Sequence, residues 1–172
     1  MNKIFCIGLS RTATTSFCDV LRPRINIKHY PNQMELYFAP FDGAADIPVV
    51  AEYKVLDRMF PNCKFVYTVR EIEDWVSSVV PYFEEKKDRT LSDYQAGIRM
   101  KVFGALFPNE DQARKAYIRH HQDVLNYFKG REGDILILDI IGGDKPEKLF
   151  NFLGIKNPPK EFPKSNVSGR SK

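Results

Sequence analysis

The sequence predicts an α/β fold built on a parallel sheet, and three observations carry that prediction. Four short apolar runs rich in strand formers stand at residues 4–7, 25–28, 64–69 and 135–138. Stretches with helical spacing of apolar residues lie between them, long enough for right-handed crossovers joining parallel strands. The first run ends at Gly8 and gives way to Ser10, Arg11, Thr12, Ala13, Thr14, Thr15 and Ser16 before a helix-compatible segment opens at Phe17.

Taken in order, the first helix closes at Pro23, and Ile25-Asn26-Ile27-Lys28 alternates apolar and polar as a strand. Residues 32–48, punctuated by Pro40, Gly43 and Pro48, read as irregular. Residues 49–60 suit a helix, and 64–69 is the clearest strand. The next helix opens near Glu71 with Glu71, Glu73 and Asp74 in its first turn, the charge sign its dipole favours. Trp75, Val76, Val79, Val80 and Phe83 give it an apolar stripe, and Pro81 is expected to kink or end it. Residues 91–106 and 110–128 read as helical. In the second, Ala113, Tyr117, His121, Val124, Leu125 and Phe128 share a face, which makes His121 the core histidine of the His120–His121 pair. The run 135–138 reads as a strand buried on both faces. A last helix spans 145–153, ended by Gly154, and Pro158, Pro159 and Pro163 stiffen the tail beyond it.

At 172 residues the chain is expected to be a single domain, 1–172. Its 43% hydrophobic and 28% charged content suits a soluble globular protein, with no apolar run near the length of a membrane span and no secretory leader pattern. Cys6, Cys18 and Cys63, without a CxxC, read as buried free thiols of a reducing compartment, so a cytoplasmic location is expected. No metal-ligand spacing is present, and no basic helix or aromatic-basic motif points to nucleic acid. The tail 156–172 holds five basic residues against one acidic, which accounts for the whole net charge of +4. Such a tail is either a solvated end or a segment that folds over a polyanion.

Two windows carry chemistry. The first is the strand–turn–helix stretch itself. Amides at a helix N-terminus lack intrahelical partners and sit at the positive end of the dipole, so hydroxyls and a guanidinium beside them suit a phosphate or sulfate. It is not a triphosphatase P-loop, because the lysine of that motif is missing. The second window is Arg70 at the end of the strand 64–69, with Ser78 on the following helix. Ligands of parallel sheets sit outside the carboxyl ends of the strands, which places residues 8–16, His29, Arg70 and Asp139 at the site. Asp139 is expected to fix local structure there.

Ser10-Arg11-Thr12-Ala13-Thr14-Thr15 resembles the 5′-phosphosulfate loop of sulfotransferases, usually Pro-Lys-Ser-Gly-Thr-Thr, and Arg70 and Ser78 have the spacing of that family's 3′-phosphate pair. Phe150 to Pro163 resembles its closing segment. The resemblance implies a three-layer, P-loop NTPase-like sulfotransferase fold with helices on both faces. It implies 3′-phosphoadenosine 5′-phosphosulfate (PAPS) as donor, 3′-phosphoadenosine 5′-phosphate (PAP) as product, no metal, and a small-molecule or carbohydrate acceptor with a hydroxyl or amine. It also implies that Arg11, Thr12, Ala13, Thr14, Thr15, Ser16, Arg70 and Ser78 bind the donor.

The family's acceptor base is a histidine or glutamate, and two residues compete for that role here. Asp46, in Ala45-Asp46-Ile47-Pro48, occupies a place similar to a family His-Leu-Pro; His29 lies at a strand end on the ligand side. A carboxylate is a weak base unless burial strengthens it, whereas imidazole is matched to neutral pH. Asp46 is slightly favoured on position, and both are kept. Arg11 in place of lysine stabilises charge but hardly releases a proton, so proton delivery to the leaving oxygen is the step this departure affects. A degenerate P-loop kinase or NTPase, and a non-catalytic nucleotide-binding relative, are the alternative readings.

Overall fold

The structure, a computed structural model, describes residues 2–165. Five strands, β1 (Ile4–Cys6), β2 (Ile27–His29), β3 (Gly43–Ala45), β4 (Lys64–Thr68) and β5 (Ile135–Leu138), form one sheet in the order β2-β3-β1-β4-β5. Every neighbouring pair is parallel. The helices are α1 (Thr14–Leu21), α2 (Gln33–Phe38), α3 (Ile47–Met59), α4 (Ile72–Glu84), α5 (Asp93–Phe103), α6 (Glu110–Tyr127) and α7 (Pro146–Leu153).

The period-two alternation of the strands divides the core into layers. Phe5, Ile7, Phe65 and Tyr67 face α2, α3 and α6, where they meet Leu36, Tyr53, Leu56 and Val124. Ile4, Cys6, Ile27, Val66 and Leu138 face the other way, onto Phe17 and Leu21 of α1 and Leu149 and Phe150 of α7. A third cluster, around Trp75 and Phe83 of α4, joins α5 and α6 to Leu9 and Ile47, the residues that follow β1 and β3. Trp75 is fully buried, and truncating such a side chain typically costs about 3–5 kcal/mol.

Several expectations change. The stretch 32–48 is not irregular, for it holds α2 and β3. Asn32 and Glu35 cap α2 reciprocally, Asn32 Oδ1 accepting from Glu35 N at 2.9 Å and Glu35 Oε2 from Asn32 N at 2.8 Å. β3 is Gly43-Ala44-Ala45, without branched or aromatic residues, because it is wholly buried; a Cβ on Gly43 would stand 2.7 Å from the Ile4 carbonyl oxygen. α4 runs through Pro81 to Glu84: Ser77 and Pro81 are both exposed, so water meets the freed carbonyl while buried Val79 and Phe83 hold the last turn. β5 is the edge of the sheet, and Ile137 is 41% exposed rather than buried. On α6 the buried face is set one residue round from expectation. His120 is the core histidine, donating from Nε2 to the Ile7 carbonyl at 2.8 Å, while His121 is half-buried and meets the Tyr67 hydroxyl at 3.2 Å. Leu125, expected inside, is 44% exposed. Of the basic tail, Arg170 and Lys172 lie outside the described residues.

Candidate active site

β1 lies between β3 and β4, so the loops leaving three adjacent strand ends converge. The loop after β1 is fastened to β4 by hydroxyls. Thr12 Oγ1 donates to the Leu9 carbonyl at 2.7 Å and stands 2.8 Å from Thr68 Oγ1, which is fully buried. Gly8 permits this approach, since a Cβ there would fall 1.8 Å from Thr68 Oγ1. Arg11 and Ala13 both adopt left-handed backbone, at φ 74° and 67°. That path delivers the chain to Thr14, where α1 opens with the positive end of its dipole toward the loop. Trp75 Nε1 holds the Ser10 carbonyl from α4 at 2.8 Å.

Two guanidinium groups flank the loop. Arg11 Nε donates to Ser78 Oγ at 3.1 Å, and its Cζ lies 5.4 Å from the centre of the Tyr82 ring. Arg70, past the end of β4, reaches back with Nη1 to the Arg11 carbonyl at 3.5 Å. Its backbone is clamped by the Tyr117 hydroxyl, which donates to Arg70 O and accepts from Arg70 N. Arg70 Nε is buried and has no hydrogen-bond partner among the described residues.

Asp46 caps α3 from strained backbone, φ 83°. Its Oδ1 accepts from Ser10 Oγ and from Ile47 N, each at 2.8 Å. Its Oδ2 lies 3.3 Å from His29 Nε2, which also stands 3.3 Å from Thr14 Oγ1 and 3.4 Å from Thr15 Oγ1. Asp46 is 5% exposed, so this carboxylate works in a largely dry setting.

A cavity of about 530 Å³ brings these groups together. Arg11, Ala13, Thr14, Thr15, Ser16, His29, Asp46 and Arg70 all line it. Thr12 and Ser78 do not: the hydroxyl of Thr12 is spent on the loop, and Ser78 reaches the cavity through Arg11. Asp139 fixes local structure, accepting from Gly142 N at 2.7 Å while its own N–H donates to Asp144 at 2.8 Å. Sequence reasoning put Ser10 in the loop but not as the holder of Asp46, and it missed Trp75 and Tyr117 as supports and the wall formed by Ile140, Ile141, residues 143–145 and residues 161–165. Lys145 pairs with Glu161 at 2.9 Å and so ties the two parts of that wall. The Ser10 and Trp75 signals were invisible because both work through contacts 36 and 65 residues away.

The donor set suits a polyanion: a helix N-terminus, hydroxyls, two guanidinium groups and an orphaned buried Arg70 N–H awaiting an acceptor. Among the described residues no group of three or more His, Cys, Asp or Glu side chains would hold a metal, and no helix is long and apolar enough to cross a membrane.

No curated protein sequence matches the chain. Among solved structures it is similar to the crystal structure of mouse sulfotransferase SULT7A1 complexed with PAP, with a TM-score of 0.52 and 18% sequence identity. The match covers 92% of this chain and 61% of the mouse chain, so the present chain spans about three-fifths of that protein's length and shares its fold. The family model for the sulfotransferase domain matches residues 27–171, taking in β2, Asp46, Arg70 and Ser78 and beginning after the β1 loop. With that match over most of its length, the chain belongs to the sulfotransferase domain family.

Proposed function

We propose that this chain moves a sulfuryl group from PAPS to a hydroxyl or amine of a small-molecule or sugar acceptor. The observation that carries the reading is the shared cavity of Arg70 and the β1 loop, which gathers two sets of anion-holding donors at one site, with Arg70 Nη1 reaching the Arg11 carbonyl at 3.5 Å. PAPS supplies an activated sulfuryl group on its 5′-phosphate. In this reading the α1 amides, the hydroxyls of Thr14, Thr15 and Ser16, and Arg11 hold the 5′ end and stabilise the charge that builds there. Arg70 holds the 3′-phosphate. Ser78, paired by spacing with Arg70, accepts from Arg11 and orients that guanidinium. Thr12 contributes by locking the loop.

For the acceptor proton we assign a dyad. His29 is the base and Asp46, whose Oδ2 lies 3.3 Å from His29 Nε2, is its charged partner, while Ser10 and Ile47 N hold the carboxylate in place. Both candidates from the sequence thus have a part, His29 as base and Asp46 as its orienting partner. Residues 1–172 act as one unit in this reading, the tail 156–172 contributing residues 161–165 to the cavity wall.

Calorimetry with PAP, adenosine monophosphate and magnesium ATP tests the donor, and transfer of labelled sulfate from PAPS to a panel of phenols, alcohols and sugars tests the reaction. Saturable PAP binding with a clear preference for the 3′-phosphate, together with transfer, is expected. Magnesium-dependent ATP binding indifferent to a 3′-phosphate would replace this reading with a phosphotransferase, and PAP binding without transfer to any acceptor would leave a nucleotide-binding relative.

A further inference from the structure

Beside Asp46 the molecule carries cations that donor binding does not use. α4 places Tyr82 on the cavity, and Lys86 follows in the turn after that helix; Lys86 Nζ lies 3.1 Å from the centre of the Tyr82 ring that Arg11 also approaches. α5 adds Arg99, only 8% exposed, its guanidinium 4.9 Å from the Phe83 ring and 5.3 Å from the Phe107 ring. Arg99 Nη1 donates to the Leu106 carbonyl at 3.2 Å, but Nε is buried and has no partner among the described residues. The Arg99 charge acts on the hydroxyls of Tyr30 and Tyr82, and Arg89 acts on Tyr82 and Lys86. None of Lys86, Arg89 and Arg99 forms an ion pair among the described residues.

The carboxylate that acts on Tyr30, Tyr82 and Lys86 is Asp46, already engaged by Ser10, Ile47 N and His29. Lys86 and Arg99 lie against neighbouring rings, with exposed Arg89 close enough for its charge to act on Lys86; with no carboxylate paired to them the three repel one another, and buried Arg99 carries an uncompensated desolvation cost. Burial and then the charges of Arg89 and Arg99 push the Lys86 ammonium down to about 8, with Asp46 acting the opposite way and Arg11 adding to the fall. An oxyanion seated here would relieve all three.

We propose that the acceptor is itself an anion: a small hydroxylated molecule bearing a carboxylate or comparable oxyanion, gripped by Lys86 and Arg89 with Arg99 behind them, its hydroxyl turned to His29 and Asp46. This rests on the sulfotransferase reading and adds the acceptor's charge to it. The tyrosine hydroxyls of Tyr30 and Tyr82 supply neutral donors beside the cations. Lys86 is the adjustable member, because it loses its charge nearest to neutral pH.

The test uses the full chain saturated with PAP and two probe pairs that differ in one carboxylate: methyl glucuronide against methyl glucoside, and 4-hydroxybenzoate against 4-hydroxybenzyl alcohol. In each pair the anionic probe is expected to bind at least about tenfold more tightly, the scale of one charge-assisted hydrogen bond. Lys86→Gln and Arg89→Gln should each remove most of that preference while PAP affinity stays within about twofold. The preference should be flat below about pH 8 and fall above it, by up to about tenfold per pH unit, as unliganded Lys86 loses its proton. Equal binding within both pairs, no binding of either anionic probe, or a loss of PAP affinity in the two variants that matches the loss of probe affinity overturns the inference while the donor assignment stands. Failure of the wild-type chain to bind PAP overturns the donor assignment, and this inference with it.

Discussion

His29 Nε2 and Asp46 Oδ2 lie 3.3 Å apart, joined across two neighbouring parallel strands whose register sets His29 opposite Ala45. The aspartate follows β3 directly, with its backbone held at φ 83°. Substituting His29→Ala is expected to lower kcat by about 10²–10⁴, the usual worth of a positioned general base, with PAP affinity nearly unchanged. Asp46→Asn keeps an oxygen for Ser10 and Ile47 N, so it should fold, lower kcat by a smaller factor and alter the pH profile of the rate. Steady-state kinetics beside PAP calorimetry separates the two effects. Wild-type turnover in the double variant would remove the dyad from the mechanism.

Arg70 is predicted to read the 3′-phosphate. Arg70→Ala should weaken PAP binding by about 100-fold, near the upper end for hydrogen bonds to a charged group, while hardly changing the affinity for adenosine monophosphate. Arg70→Lys should restore only part of it, since an ammonium lacks the planar fork. Equal losses for both nucleotides would mean that the residue supports the fold of the site and does not discriminate.

Ala13 sits at φ 67°, where the resembling family loop has glycine. Left-handed backbone costs a residue with a Cβ about 1–2 kcal/mol, partly offset by the extra unfolded-state freedom of glycine. Ala13→Gly is therefore expected to stabilise the chain by up to about 1 kcal/mol in urea unfolding. A destabilisation would show that the methyl group makes a contact worth more than the strain.

His120 predicts an acid limit on stability. Burial holds its imidazole down at about 4, against an ordinary 6.5, while its bond to the Ile7 carbonyl pulls the other way. The unfolded chain then binds the proton more readily than the folded one between those values. Stability is fully present above about pH 6.5 and falls as the pH drops toward 4, by about 3 kcal/mol over the window. Chemical denaturation at pH 7 and pH 4.5 measures this. His120→Gln, which retains a donor for Ile7, should flatten the slope even if it lowers stability throughout.

The parts of this fold legible in the sequence are those written in local chemistry. The hydroxyl-rich turn after β1, the acidic first turn of α4 and the strand leading to Arg70 all stood where local pattern put them. β3 was hidden because Gly43, Ala44 and Ala45 carry almost no side chain to show a period; their smallness answers to the helices packed on both faces. α2 had a local signal, the Asn32–Glu35 capping box, that went unread. His120 and His121 were exchanged because a one-residue rotation of a long helix alters periodicity little but decides which ring reaches Ile7. Arg11, His29, Asp46 and Arg70 could be nominated singly, yet their meeting in one cavity depends on strand order, which no local pattern encodes. The cationic group of Lys86, Arg89 and Arg99 comes from the turn after α4 and from α5, and nothing in their spacing announced that no carboxylate would pair with them.

The hydroxyl contact between Thr12 and Thr68 has a mechanical meaning. It rivets the turn to the strand that presents Arg70, and in the proposed reading the span between the two anion grips is thereby a fixed gauge. A nucleotide lacking one terminal group leaves one grip empty, and the scaffold has no slack with which to follow it. Discrimination of this kind is built into the frame before any ligand arrives, and loosening the rivet with Thr68→Val should blunt selectivity while leaving every side chain that touches the ligand in place.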